Sequence, residues 1–201
     1  MVNNSKRGRG RPRKFDENEA LDAAVKLFWT KGFDATTVDE LAVAMGIGRP
    51  SMYGAFGDKE AIFMRALDRY LTTVAALPSG PLSSPKIQEA IQGYLAAVLE
   101  YATRHPDHQG CLIGSVAAVV DNPKIRHYVA TSIGLSGDLV AQRLQAAVDQ
   151  GELSKEFPVT QRARRAVNAM IALASRARHG APLSDLEADV ADGAAAVLQP
   201  S

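Results

Sequence analysis

From Phe15 onward the apolar residues recur at three- and four-residue intervals, and no stretch of useful length alternates apolar with polar. Ala20, Ala23, Ala24, Leu27 and Phe28 form one such stripe; Ile62, Ala66, Leu67, Tyr70 and Leu71 form another. The pattern predicts an all-α protein. Helix breakers divide it. Lys31-Gly32 closes a first helix, with glycine suited to the left-handed position after a helix end. Thr37-Val38-Asp39-Glu40 has capping-box spacing, in which the threonine hydroxyl takes the glutamate amide proton and the carboxylate reaches back to the threonine amide. The short helix it starts ends at Met45-Gly46, and Ile47-Gly48 supplies a turn into Arg49-Pro50, where proline suits a helix's first turn. Phe56-Gly57 closes this third helix, and Asp58 caps a fourth running to about Ala75. Three prolines in the run from Pro78 to Pro85 predict a loop. Further helices are predicted from Ile87 to Thr103, Cys111 to Val120, Pro123 to Gln150, Thr160 to His179 and Leu186 to Leu198.

Two short helices joined by a glycine-containing turn, with apolar residues at Val38, Leu41, Ala42, Met45, Ile47, Met52 and Phe56, make the pattern of a helix-turn-helix. The spacing turns Leu41, Ala42, Met45, Met52 and Phe56 inward and leaves Arg49, Ser51 and Tyr53 outward. Arginine can read guanine through two hydrogen bonds, and hydroxyls can hold phosphate oxygens. Lys59, at the start of the following helix, sets a cation beside N–H groups that favour an anion.

The run from Ala24 to Phe63, with its TT cap, G-I-G turn, R-P-S-M-Y helix and F-G-D-K-E junction in order, resembles the DNA-binding domain of the tetracycline-repressor (TetR) family of bacterial transcription regulators. The resemblance implies a three-helix DNA-binding domain followed by a larger helical domain for ligand binding and dimerisation. The division is expected as a basic arm over 1–14, a helix-turn-helix domain over 15–62 and an effector and dimer domain over 63–201. Carried over from the family, Thr37 resembles a phosphate contact, Arg49, Pro50 and Ser51 the base-facing positions, and Tyr53 and Lys59 the phosphate clamps. Gly54 and Ala55 stand where many members carry histidine or a larger aromatic residue, and Val38 where some carry arginine, which implies fewer side-chain base contacts.

Charge sharpens this picture. The 201 residues hold 23 basic and 22 acidic side chains, yet six of the basic ones lie in the first fourteen residues with no acid among them, leaving a net of −5 on the rest. Arg9-Gly10-Arg11-Pro12-Arg13 resembles an AT-hook core, with Arg9, Arg11 and Arg13 in a narrow A·T-rich minor groove; a solvated basic tail with generic phosphate affinity is the other reading. With 46% hydrophobic residues the chain can bury a real core, and charged residues interrupt every long apolar stretch, so no membrane span is expected. No apolar run follows the basic start and Cys111 is the single cysteine, so neither a secretory signal nor a disulfide is expected, and the expected compartment is the cytoplasm.

No G-x-S-x-G, H-E-x-x-H or phosphate-binding loop is present, so no catalytic residue and no cofactor is expected. His105, Asp107, His108 and Cys111 are plausible soft-metal ligands by type, but they read as interhelical loop residues and no metal site is expected; Cys111 reads as a buried thiol rather than a redox switch. Arg162, Arg164 and Arg165 read as a solvated helix face. Two-fold DNA sites call for a two-fold protein. The resemblance places the dimer on the last two long helices, with Ala163, Ala166, Val167, Met170, Ile171 and Ala174 on one stripe and Leu186, Val190, Ala194 and Val197 on the other; burial within one subunit would give the same stripes. The middle helices would then enclose an effector pocket, with Tyr94, Tyr101, Cys111, Leu112, Val116 and Leu135 as lining candidates and a small apolar or aromatic compound as ligand. The function expected is a homodimeric repressor that leaves a palindromic double-stranded operator when a small molecule binds. A helical sensor acting through a protein partner, and an architectural A·T binder relying on the arm, are the alternatives.

Overall fold

The computed structural model describes residues 15–199, which are helical with no strand among them. Arg9, Arg11 and Arg13 lie outside the described residues. Four helices come first: α1 (Glu17–Lys31), α2 (Val38–Ala44), α3 (Arg49–Phe56) and α4 (Lys59–Val74). Local chemistry sets their ends. The Asp16 carboxylate accepts from the Asn18 and Glu19 amides at 2.7 and 3.2 Å to open α1, and Gly32 closes it at φ 85°. Both arms of the Thr37–Glu40 capping box are formed at α2. Asp58 opens α4 by accepting from the Ala61 amide at 2.8 Å. Phe28 and Phe63 meet edge-on at 4.8 Å where α1 crosses α4, and Leu41, Met52, Phe56 and Leu67 complete a dry centre around them.

The rest of the chain consists of α5 (Ser79–Leu82), α6 (Ile87–Thr103), α7 (Pro123–Asp149), α8 (Val159–Arg178) and α9 (Leu183–Leu198). Two segments depart from the sequence reading. The Pro78 to Pro85 run holds the one-turn helix α5, because its prolines fall at the cap and in the first turn, where a missing N–H loses no bond. The predicted helix from Cys111 to Val120 is instead a π-helical turn, Leu112–Val116, followed by a 3-10 turn, Ala117–Val119. Gly114 and the β-branched Ile113, Val116, Val119 and Val120 weaken an α-helix there. Side chains add local alternatives: Cys111 Sγ accepts from the Gly114 amide at 3.4 Å, and the Ser115 hydroxyl donates to the Cys111 carbonyl.

Two apolar clusters result. The first joins α1–α4 to the turns after Cys111 and to Ile125 and Val129 at the start of α7. The second joins α6, α8 and α9 to Val140, Leu144 and Ala147 in the later half of α7. A domain boundary between 62 and 63 passes through the continuous helix α4, whose buried residues all belong to the first cluster.

A polar clamp fastens α1 to α8. Both terminal nitrogens of Arg178 donate to the Trp29 carbonyl at 3.1 Å, satisfying a last-turn acceptor that α1 cannot bond itself. The Trp29 indole N–H donates to the Gln109 carbonyl at 3.2 Å. Gly110 sits beneath at φ 86°, where a Cβ would lie 2.7 Å from the Ala174 carbonyl oxygen and 2.8 Å from Arg178 Cβ. Gly110→Ala is therefore expected to destabilise the protein by about 2 kcal/mol, a Tm loss of roughly 4–8 °C by thermal melting, whereas Gly134→Ala, at a position with open space around it, is expected to leave Tm level or slightly raised.

Candidate nucleic-acid interface and internal cavity

The first turn of α3 presents Arg49, Pro50 and Ser51 to solvent, and Tyr53 follows at 46% exposure with its hydroxyl unbonded among the described residues. Met52 and Phe56 of the same helix are buried. Gly48 precedes the helix, so no side chain caps its first N–H groups. Arg49 pairs with Asp39 of α2, both side chains remaining more than half exposed. Such an exposed pair is worth at most about 1 kcal/mol and opens easily. Lys59 lies 4.5 Å above the Phe33 ring and donates to the Asp34 carbonyl at 3.5 Å, which holds it at the α3–α4 junction. Thr37 is exposed, but its hydroxyl is taken up by Glu40, donating to Oε2 at 2.9 Å and accepting from the amide at 3.2 Å. Glu40 also receives Lys31 Nζ at 2.5 Å. The Lys31 ammonium and the Thr37 donors together hold the Glu40 carboxyl down at about 2.

Four residues that the sequence reading passed over, in two pairs, orient this surface. Arg65 donates to the Ala55 carbonyl at 2.9 Å at the end of α3, pairs with Glu17 of α1 at 3.1 Å, and stacks on Phe56 at 4.6 Å. Arg69 grips Asp22 of α1 with two bonds of 2.7 and 2.8 Å, which lowers the aspartate pKa chiefly through that bond. These partners lie 47 or 48 positions apart. Their only local signal is that Glu17 and Asp22, and Arg65 and Arg69, flank the apolar stripes of α1 and α4.

A cavity of about 110 Å³ lies where the two apolar clusters meet. Of the six lining candidates, Tyr94, Tyr101 and Cys111 reach it. Leu112 and Val116 are buried in the first cluster instead, because the π-turn directs them toward α1 and α4, and Leu135 points to solvent at 58% exposure. Much of the remaining wall comes from Tyr70, Leu71 and Val74 of α4, Ser132, Ile133 and Ser136 of α7, and Met170, Ile171 and Ala174 of α8. Those last three were placed on the dimer stripe by the sequence. Ala163, Ala166, Val167, Leu186, Val190, Ala194 and Val197, the rest of the two stripes, are buried within the single subunit. The same helices carry a second, exposed face with Asn168, Ala172, Ala188, Ala191 and Ala195.

Beside α1, His105 and His108 stack on each other at 4.6 Å, and His108 meets the Trp29 ring at 4.8 Å. Burial, followed by the neighbouring His105, lowers the His108 pKa. Cys111 turns away to the Tyr70 hydroxyl and the Gly114 amide. Among the described residues no group of three or more His, Cys, Asp or Glu converges as a metal would need, and no helix is long and apolar enough to cross a membrane. Arg164 and Arg165 are exposed, but Arg162 is buried and donates to the Ala196 carbonyl at 2.9 Å.

Residues 20–66 match the model of bacterial regulatory proteins of the tetR family, and residues 88–187 match the tetracyclin repressor-like C-terminal domain. The chain is 31% identical over 186 residues to the HTH-type transcriptional repressor ComR of Escherichia coli (strain K12), covering 90% of this chain and 88% of that protein. It is 40% identical over 103 residues to the HTH-type transcriptional repressor BdcR of the same strain, about half of each chain. Among solved structures, a cysteine mutant of the TetR family transcriptional regulator CifR, complexed with 26-bp double-strand operator DNA, superposes with a TM-score of 0.86 at 28% identity, over 92% of this chain and 99% of that one.

The capping geometry carries a pH signature. Glu40 is expected to titrate near 2 in the folded protein, against 4.5 for an ordinary glutamate. What the carboxylate contributes to α2 is present above about pH 4.5 and is lost as pH falls through 2. A carboxyl-detected NMR titration checks this, and Lys31→Met is expected to move the midpoint upward.

Proposed function

The chain belongs to the TetR family of DNA-binding transcriptional repressors, regulatory proteins rather than enzymes, and from that premise we propose that it acts as a homodimer in the cytoplasm, holding a palindromic operator until a small molecule fills the internal cavity. The observation that carries the reading is the exposed Arg49-Pro50-Ser51 turn with Tyr53 behind it, on a helix that is held against α2 and α4 through its buried Met52 and Phe56. In this reading Arg49 and Ser51 face base edges, while Tyr53 and Lys59 meet phosphates, joined by Thr37 when its hydroxyl turns from the Glu40 carboxylate. Arg49 leaves Asp39 as it docks. The basic arm, with Arg9, Arg11 and Arg13, adds phosphate or minor-groove contacts.

Dimerisation is proposed on the exposed face of α8 and α9 rather than on their apolar stripes. Both helices lie on α6, so their outward residues, including Ala172 and Ala191, lie away from that core and are free to meet a second copy. The small side chains allow two helix pairs to approach closely as a four-helix bundle. Release is proposed to run through α4. This helix spans about 24 Å, begins at Lys59 beside the recognition helix and ends among the cavity residues Tyr70, Leu71 and Val74. A ligand favouring a different position of the α4 end lowers operator affinity by the ratio of its affinities for the two arrangements. The reading supposes an effector and boundaries near those expected from sequence, with α4 as the shared element.

Two measurements test it. In fluorescence-anisotropy titrations with fragments of the gene's own upstream region, Arg49→Ala is expected to weaken specific binding about 5- to 150-fold, while Lys59→Ala weakens all sequences alike and reduces the salt slope by about one. Unchanged affinity in the Arg49→Ala, Tyr53→Ala, Lys59→Ala triple variant would exclude this surface. In light scattering, Ala172→Glu with Ala191→Glu is expected to give folded monomers with weakened operator binding; a dimer of unchanged stability places the interface elsewhere.

A further inference from the structure

No charged side chain lines the cavity, and most of its wall is hydrocarbon. Its polar groups are nearly all committed locally: the Ser132 hydroxyl donates to the Tyr128 carbonyl at 2.8 Å and the Ser136 hydroxyl to the Ser132 carbonyl at 3.5 Å. The two most buried phenols differ. Tyr70, 3% exposed, donates to Cys111 Sγ at 3.4 Å, and Tyr94, 1% exposed, donates to Met170 Sδ at 3.0 Å. Sulfur is a weak acceptor. Each hydroxyl therefore holds a poorer bond than an oxygen would give it, in an environment where an oxygen acceptor gains most from being paired.

Resting on the proposal that this cavity is the effector site, we infer that its ligand is a neutral, mainly apolar molecule bearing an oxygen acceptor, of the ketone or ester kind, that takes the hydroxyl protons of Tyr94 and Tyr70 away from their sulfur partners. Anions and cations are disfavoured by the same wall. A carboxylate would lose its water without meeting a cation, and an ammonium without meeting a carboxylate. Burial pushes both phenol pKa values up, so both groups stay protonated and able to donate. Size adds a coupling. A dry cavity of about 150 Å³ holds one benzene, so a space of about 110 Å³ takes a six-membered ring only when its walls part. The wall on one side is the end of α4, Leu71 and Val74, continued by Leu77 and Pro78. A ring seated against this wall therefore presses on the end of the helix that leads back to the recognition surface.

The test uses the full chain and a series sharing one ring: cyclohexanone, methylcyclohexane, cyclohexanecarboxylate and cyclohexylammonium, with affinities from isothermal titration and thermal shift. Cyclohexanone is expected to bind, and both ions at least about tenfold more weakly. Tyr94→Phe and Tyr70→Phe are each expected to cut the ketone-to-hydrocarbon affinity ratio about two- to tenfold while leaving methylcyclohexane binding level, a selective change that misfolding would not give. Binding of either ion as tight as the ketone, a ratio unmoved by both substitutions, or no ketone binding at millimolar concentration overturns the inference. Operator release is scored separately. A ketone that binds through the tyrosines yet leaves the operator complex intact refutes the effector reading and keeps the ligand class, while release by a carboxylate acting in the cavity keeps the effector reading and refutes the class.

Discussion

The helices that read DNA do not own their core. The apolar cluster that holds the buried residues of α1–α4 is completed by Leu112, Ile113, Val116, Ile125 and Val129, from the turns after Cys111 and the start of α7. Apolar burial of this kind is non-directional, so on its own it would let the two parts slide. The directional element is the clamp of Arg178 on the Trp29 carbonyl, with Gln109 shared between the arginine and the indole. Glu60 adds a second fastening at the far end, receiving Asn122 and Lys124 from the start of α7 at 2.8 and 2.9 Å. The cavity lies at the end of α4, where the Tyr70 bond to Cys111 Sγ is accompanied by apolar contacts.

What could be read from the sequence was whatever local chemistry decides. The Thr37–Glu40 box, Gly32 and Asp58 fix helix ends by bonds within a few residues, and each formed as its spacing requires. The shared burial of Met52 and Phe56 follows from their four-residue spacing, whereas Arg49, on nearly the same face by period, is exposed because it is the first residue of the helix. The stripes of α8 and α9 show where such reasoning stops. A period of three and four identifies the buried face of a helix but not the partner that buries it, and here the subunit's own core and the cavity take every stripe residue. Leu135 was misplaced for a related reason: on a 27-residue helix that passes from one cluster to the other, the buried face rotates, and a leucine at its middle can face water. Arg65, Arg69 and Asp22 were missed because their pairing spans nearly fifty positions and leaves no mark in local spacing.

The turn after Cys111 shows a third kind of information. Its residues are apolar and suited to burial, yet glycine and β-branched side chains leave the backbone undecided, and tertiary packing settles it as π followed by 3-10. That wider turn lets the cysteine sulfur face the Tyr70 hydroxyl while Leu112 and Val116 enter the first cluster. One irregular segment thus supplies both a cavity wall and part of the apolar packing against α1 and α4.

The pairing of Arg49 with Asp39 bears on how such a protein finds its site. An arginine already neutralised by its neighbour adds little to the attraction of random-sequence phosphate, and log affinity for nonspecific DNA depends on the number of cations that displace counterions. If Arg49 reads a guanine edge as proposed, contacts with the wrong sequence are brief, because the carboxylate recaptures the guanidinium as soon as no such edge holds it. A genome offers on the order of 10⁶–10⁹ competing sites, and a reading arginine held in reserve shortens the dwell at each of them, so the search runs faster at the cost of some grip on the operator itself.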